Sequence, residues 1–303
     1  MNFKLVSQIL AGVWQLEPRW AQSHIPIVIS LLKGQPVSFV TRTGNQGVEQ
    51  PFIIDPSGNR QNMLQWDSDK GRYVANTSVP KNSVGVLPIS SAITKYNGDC
   101  GEPGMIQRDG WMQAFLNNEN VGSIILLIDT PGGEARAANT FVQSMQSSEK
   151  PIISYIDGMC ASLGMWFASA SDRTFFSSPS DELGSIGALC TLLDYRGMLE
   201  QEGLKLHEIY APQSTDKNKD YRDALDGDYS AIEADLKELV NDFINHVSSS
   251  RPQAAATKDQ WNSGKMFRAK QAIKLGLADD IMPFNRAVSY AQYLSRMKKS
   301  NLK

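Results

Sequence analysis

Histidine is scarce in this chain: His24, His207 and His246 are the only three among 303 residues. No His-Glu-x-x-His, Cys-x-x-Cys or P-loop pattern occurs, so metal and nucleotide chemistry have no support and no cofactor is expected. Cysteine is equally sparse. Cys100, Cys160 and Cys190 cannot build a disulfide framework; they fit a reducing compartment, and a cytoplasmic location is expected. No run of eighteen apolar residues exists, so no membrane span is expected. The first residues, MNFKLVSQILAGVWQL, have their apolar run broken by Gln8 and Gln15 and lack a small-residue cleavage site. An amphipathic helix, with Leu5, Ile9, Val13 and Leu16 on one stripe, is expected there rather than a signal peptide. Net charge is −2, which gives no reason to expect nucleic acid or an anionic membrane surface as a partner. Internal repeats and low-complexity tracts are missing.

What the chain does have is apolar content of 41%, enough for a sizeable core. Residues 1–80 read as an N-terminal extension or arm, with short strand-like runs (PVSFVTR, RYVAN) between turn signals (TGNQG, DPSGN). Residues 81–285 read as an α/β core of repeated strand–turn–helix units. Residues 286–303 read as a helix followed by a basic tail.

Two segments carry the chemistry. Residues 125–133 read ILLIDTPGG: the run from Gly122 to Asp129 has the near-continuous apolar character of a strand buried on both faces. Pro131, Gly132 and Gly133 then make a sharp turn. Ala138, Phe141, Val142 and Met145 follow at helical spacing. Free N–H groups at such a turn suit a developing negative charge. Residues 156–166 read IDGMCASLGMW, with a strand over Ile152–Ile156, a turn at Gly158 and a helix start between Met159 and Phe167. Ser162 lies at the positive end of that helix, with Ala161 and Gly164 leaving room around it. In an open parallel sheet both segments lie at strand ends, where ligands bind.

Over about Val84 to Ile281 the chain resembles the signal peptide peptidase A family, serine peptidases of the Clp protease/crotonase superfamily. Five stretches match in order: VGVLPISSAI, DTPGG, DGMCASLGMW, LGSIGAL and SGKMFRAKQAIKLGLADDI. The third departs from the family's Ala-Ser-Gly-Gly, because Leu163 replaces the first of those glycines. The resemblance implies a Ser-Lys dyad with Ser162 as nucleophile and a lysine about fifty residues further on as the base. In APQSTDKNKDYRDAL that is Lys217, with Lys219 as the alternative; the loop departs from the family's usual pattern. A lysine works as a base near neutral pH only when burial lowers its pKa to roughly 7–8. The resemblance also implies that Ser185 aims the lysine and that the backbone N–H groups of Gly133 and Leu163 form the oxyanion hole.

A histidine base finds no place. His24 lies outside the matched region and His207 in an expected strand, KLHEIY. His246 sits on a long helix from about Tyr229 to Ser248, whose stripe is Ile232, Leu236, Leu239, Val240, Phe243 and Ile244. With no membrane anchor expected, the chain resembles the branch found in phage and prophage head assembly, which trims capsid or scaffold proteins. A protein or peptide substrate is then implied, in a bacterial cytosol or phage-infected cell; the flanks Ala161, Met165 and Trp166 predict an apolar pocket of modest size and small or medium hydrophobic residues before the scissile bond. The superfamily's rings, together with the stripe on the long helix, imply a homo-oligomer. Two other readings share the fold: a crotonase-type acyl-CoA enzyme, which needs neither Ser162 nor a loop lysine, and a scaffolding subunit with a decayed site.

Overall fold

The computed structural model describes residues 13–16, 50–69, 72–98, 102–192, 194 and 196–301. Strand β1 is Val13–Leu16. Strands β2 (Phe52–Ile54) and β3 (Arg60–Asn62) form a hairpin, and β4 (Leu64–Asp67) and β5 (Arg72–Ala75) form another. The central run is β6 (Ser83–Ser90), α1 (Met105–Asn117), β7 (Val121–Thr130), β8 (Gly132–Glu134), α2 (Asn139–Gln146), β9 (Ile152–Ala161) and α3 (Leu163–Ala170). Next come β10 (Arg173–Phe176), β11 (Glu182–Gly184), β12 (Leu189–Cys190), α4 (Arg196–Gln201), α5 (Lys219–Leu225), α6 (Ser230–Ser250) and α7 (Pro252–Ala255). The chain closes with β13 (Met266–Arg268), α8 (Ala269–Lys274), β14 (Asp280–Ile281) and α9 (Phe284–Asn301). Among the described residues no helix is long and apolar enough to cross a membrane.

The fold is α/β, as expected. Strands β6, β7 and β9 pair in parallel at the centre of one sheet, ordered β13-β11-β9-β7-β6-β2-β3, with β10 and β14 branching from β9. Alternation along the strands sends Leu87, Ile89, Ile124, Leu126 and Ile128 to the helical layer that holds Phe115, Phe141 and Phe167. Val84, Val86, Ile125, Ile153 and Tyr155 face the other way, onto Ala287, Val288 and Ala291 of α9. Burial on both faces explains the apolar runs. The DPSGN turn joins β2 to β3, with the Asp55 carboxylate accepting the N–H groups of Ser57 and Asn59 at 2.9 Å each.

Four local expectations are corrected. Gly158 is not a turn: β9 runs on through it to Ala161, so the helix starts later, at Leu163. Gly158 stands at φ 119° where the register between β7 and β9 shifts, and the Asp129 carboxylate accepts the Met159 N–H there. Gly132 and Gly133 belong to a strand, because a loop and β1 flank them. Val13 and Leu16 are in that β1 strand and not on a helix, since β8 and β12 supply backbone partners on both sides. Leu5 and Ile9 lie outside the described residues, as do His24, Cys100, PVSFVTR and TGNQG. Residues 205–210 form no strand; they run largely exposed, and no strand among the described residues pairs with them.

Candidate active site

The carboxyl ends of β7, β9 and β11 meet at one place. Thr130 of β7 pairs with Cys160 of β9, and Ala161 pairs with Gly184 of β11. Ser162 follows immediately. Its N–H donates to the carbonyl oxygen of Gly184 at 2.8 Å, and its own carbonyl accepts the Met165 N–H at 2.8 Å, opening α3. Between these bonds its backbone is held at φ 53°, ψ −113°. A non-glycine residue pays strain to sit at positive φ, and such positions concentrate at functional sites. The side chain is 1% exposed, and its Oγ, though buried, has no hydrogen-bond partner. A satisfied structural serine would have one.

Leu163 explains how the nucleophile-like segment tolerates the missing glycine. Its side chain is fully buried in the main core, while its N–H is the first of α3 and has no intrahelical acceptor. Gly164 cannot be exchanged in the same way: a Cβ there would lie 2.5 Å from the Thr130 methyl.

The Gly-Gly strand is placed by a second layer. Ile93 donates its N–H to Gly132 O at 2.8 Å and accepts the Glu134 N–H at 2.8 Å. Successive residues of a strand present their amides to opposite sides, so the N–H and C=O of Gly133 point away from Ile93. A Cβ on Gly133 would sit 1.9 Å from Ile93 O. The loop bearing Ile93 is fastened by Arg108, whose buried guanidinium donates to the carbonyls of Pro88 (3.2 Å), Ser90 (3.0 Å) and Pro103 (2.5 Å). Burial lowers its pKa to about 10. Behind the turn, Asp129 is pushed up from the ordinary carboxylate range, chiefly by burial and further by Asp157 and Asp181.

Ser185 also stands at φ 53°, is buried, and donates its N–H to Lys265 O at 3.0 Å. The Ser162–Gly184 bond therefore sets Ser162 one residue from Ser185 across two strands. Lys217 is not brought to this pair. It is exposed in a turn whose carbonyls at Thr215 and Lys217 accept from Arg222. Lys219 is exposed too and pairs with Asp223, which raises its pKa, the wrong direction for a base. His246 is half-buried, with its ring stacked on Trp166 at 5.2 Å and Nε2 3.2 Å from Trp166 O. Desolvation lowers its pKa. Cys160 is fully buried, and burial pushes its thiol up. Among the described residues no His, Cys, Asp and Glu cluster could hold a metal.

Two residues that sequence reasoning passed over support this arrangement. Arg108 shares the face of α1 with Met105, Met112 and Phe115, and a charge on an apolar stripe is a signal that could have found it. Arg251, just past α6, is buried beneath the end of α3: it donates to Ala168 O (3.4 Å) and to Thr174 Oγ1, and pairs with Asp279 at 3.2 Å. Nothing local marks it.

Such a site can add a hydroxyl to a carbonyl and hold the resulting oxyanion on main-chain N–H groups. The chain is similar to several known proteins, proteases among them. The chain is 25% identical over 79% of its length to the capsid assembly protease C of Escherichia phage lambda, covering 55% of that protein. It is 23% identical over 80% of its length to protease 4 of Haemophilus influenzae, covering 40% of that protein. It is 24% identical over 76% of its length to the head-tail preconnector protein GP5 of Enterobacteria phage P21, covering 49% of it. The chain thus spans about half the length of these relatives. Residues 144–298, which hold Ser162, Ser185 and both loop lysines, match the model of peptidase family S49, and the chain belongs to that family, with its Clp protease/crotonase-like fold.

Proposed function

We propose that the chain is a serine endopeptidase in which Ser162 is the nucleophile and Lys217 the base, Lys219 being the alternative. Ser185 orients the lysine, and the N–H groups of Gly133 and Leu163 bind the oxyanion. The observation that carries this is the buried, partnerless Oγ of Ser162 on a backbone held at φ 53°. The lysine takes the Ser162 proton during attack and returns it to the leaving amine. For this the exposed loop carrying Lys217 has to pack over Ser162 and lose water. Assembly into a homo-oligomer would supply that burial: Met198, Leu204, Leu206 and Ile209 are exposed around the loop, and Ile232 and Leu236 of α6 are only half-covered.

Substrates are extended segments of proteins. The relatives named for capsid assembly and the head-tail preconnector favour phage head proteins, cut in the cytoplasm of an infected bacterium. Fluorophosphonate labelling with mapping of the modified residue tests the proposal. Modification at Ser162, lost in Ser162→Ala together with casein cleavage, is expected. A folded Ser162→Ala protein that still cleaves casein ends it. The exposed Lys217 and the Asp223-paired Lys219 favour a second reading, a scaffolding subunit without activity, for which Ser162 would stay unlabelled. Acyl-CoA binding would instead mark the crotonase-type reading.

A further inference from the structure

Strand β1 lies in a slot one strand wide. β8 and β12 do not pair with each other; β1 pairs antiparallel with both, in the order β12-β1-β8, apart from the central sheet. With about 4.8 Å between paired strands, β8 and β12 are roughly 10 Å apart. Strands of four, three and two residues make no independently stable sheet. β8 is anchored on Ile93, β12 follows Ser185, whose N–H is bonded to Lys265 O, and β1 lies between them.

Both registers orient β1 relative to Ser162. Trp14 lies opposite Glu134, Gln15 opposite Gly133 and Leu16 opposite Gly132. β8 begins at Gly132, two residues after Thr130, the partner of Cys160, so its Gly132 end is the one tied to the Ser162 turn, and β1 heads for that end as it runs from Trp14 to Leu16. On the other side Val13 pairs with Cys190 and Trp14 with Leu189, so each step towards Leu16 faces a residue nearer Ser185. The amide of Gly133 is turned away from Ile93 and thus towards β1, directly opposite Gln15. This is the polarity of an acyl-side peptide, with Gln15 opposite the proposed oxyanion donor Gly133.

Resting on the Ser162 nucleophile proposed above, we infer that the chain is its own substrate and that the Gln15–Leu16 bond is cut in cis, with Gln15 before the scissile bond in place of the small or medium hydrophobic residue expected from the sequence. Ser162 Oγ bonds to the carbonyl carbon of Gln15 while its proton moves to the lysine Nζ. The carbonyl oxygen becomes an oxyanion facing the Gly133 N–H. The C–N bond to Leu16 breaks, and the Leu16 amine leaves with the lysine's proton. Water then adds to the Gln15 ester, giving its proton to the lysine. Collapse releases a Gln15 carboxylate and restores the serine hydroxyl.

The test is to incubate the full chain and read intact masses and new N-termini. Loss of residues 1–15 with Leu16 as the new N-terminus is expected in the wild type. Ser162→Ala should stay whole, both alone and when mixed with wild type. A Leu16→Pro chain, whose bond would have to expel a secondary amine, should be cut at least tenfold more slowly. A wild-type chain that stays intact while cleaving casein overturns self-cleavage and leaves the peptidase reading standing. So does cutting only at other bonds, or cutting of the Ser162→Ala chain in the mixture. A chain that cleaves neither itself nor casein removes the peptidase reading and this inference with it.

Discussion

The N–H of Ser162 donates to the carbonyl oxygen of Gly184 at 2.8 Å, and this one bond ties the positive-φ turn at Ser162 to a second positive-φ serine, Ser185. Two strained residues from separate strands are held in register because β9 and β11 pair up to that point.

Relieving the strain at Ser162 should separate stability from activity. Ser162→Gly removes a Cβ from positive φ, and strain of this kind is worth about 1 kcal/mol or more. Calorimetry should show a melting temperature raised by about 2–4 °C, with casein cleavage and fluorophosphonate labelling both lost. A lower melting temperature would mean that the backbone there is unstrained.

The two loop lysines should differ. Asp223 raises the pKa of Lys219, which opposes its use as a base, so Lys217→Ala should abolish cleavage while Lys219→Ala keeps most of it. Activity of the wild type should increase through mildly alkaline pH as the lysine base loses its proton. Opposite behaviour of the two variants would transfer the role to Lys219; full activity in both would exclude the dyad.

Much of this site can be read from residue order because its parts are local. DTPGG, the serine segment and LGSIGAL each end a strand, and apolar runs locate those strands. Asp157–Gly158 reads as a turn, yet the chain stays extended there because Asp129, thirty residues away, accepts the Met159 N–H. Gly132 and Gly133 become a strand only through Ile93 and β1, which are distant in sequence. The alternation of KLHEIY is that of a strand, but no described edge receives it. Nothing in the residues around Arg251 marks it, and only the packing of α6 beneath α3 buries it.

Glycine 133 should tolerate no side chain. A Cβ at Gly133 meets Ile93 O at 1.9 Å, and the contact is backbone, so β8 or the Ile93 loop must move. Gly133→Ala should leave the secondary structure intact by circular dichroism and lower kcat by about 100-fold or more, the usual cost of losing one oxyanion donor. Unchanged kcat would remove Gly133 from that role.

Leu163 should matter for folding through its side chain alone. Leu163→Ala should cost about 2–5 kcal/mol in urea unfolding, while the folded protein keeps its kcat because the N–H remains. A kcat loss beyond tenfold in folded protein would show that the side chain shapes the site.

His246 should act on stability and not on catalysis. Its pKa is lowered by desolvation, so the folded state favours the neutral ring. The unfolded chain binds the proton more readily, so stability from this site is present above pH about 6.5 and is lost as pH falls through the lowered folded pKa. His246→Phe should flatten the acid limb of the melting temperature between pH 7 and 5 and retain casein cleavage. An unaltered acid limb would mean that other groups govern it.

Helix α6 spans 21 residues, about 31 Å at 1.5 Å per residue, and its two halves live in different surroundings. The half nearest Arg251 is packed under α3, with Phe243 stacked on Trp166 at 4.7 Å, whereas the half around Ile232 and Leu236 stands partly uncovered. The same helix also touches β12, the strand that pairs with β1, so a single rod borders both the helix that Ser162 opens and one wall of the slot that β1 fills.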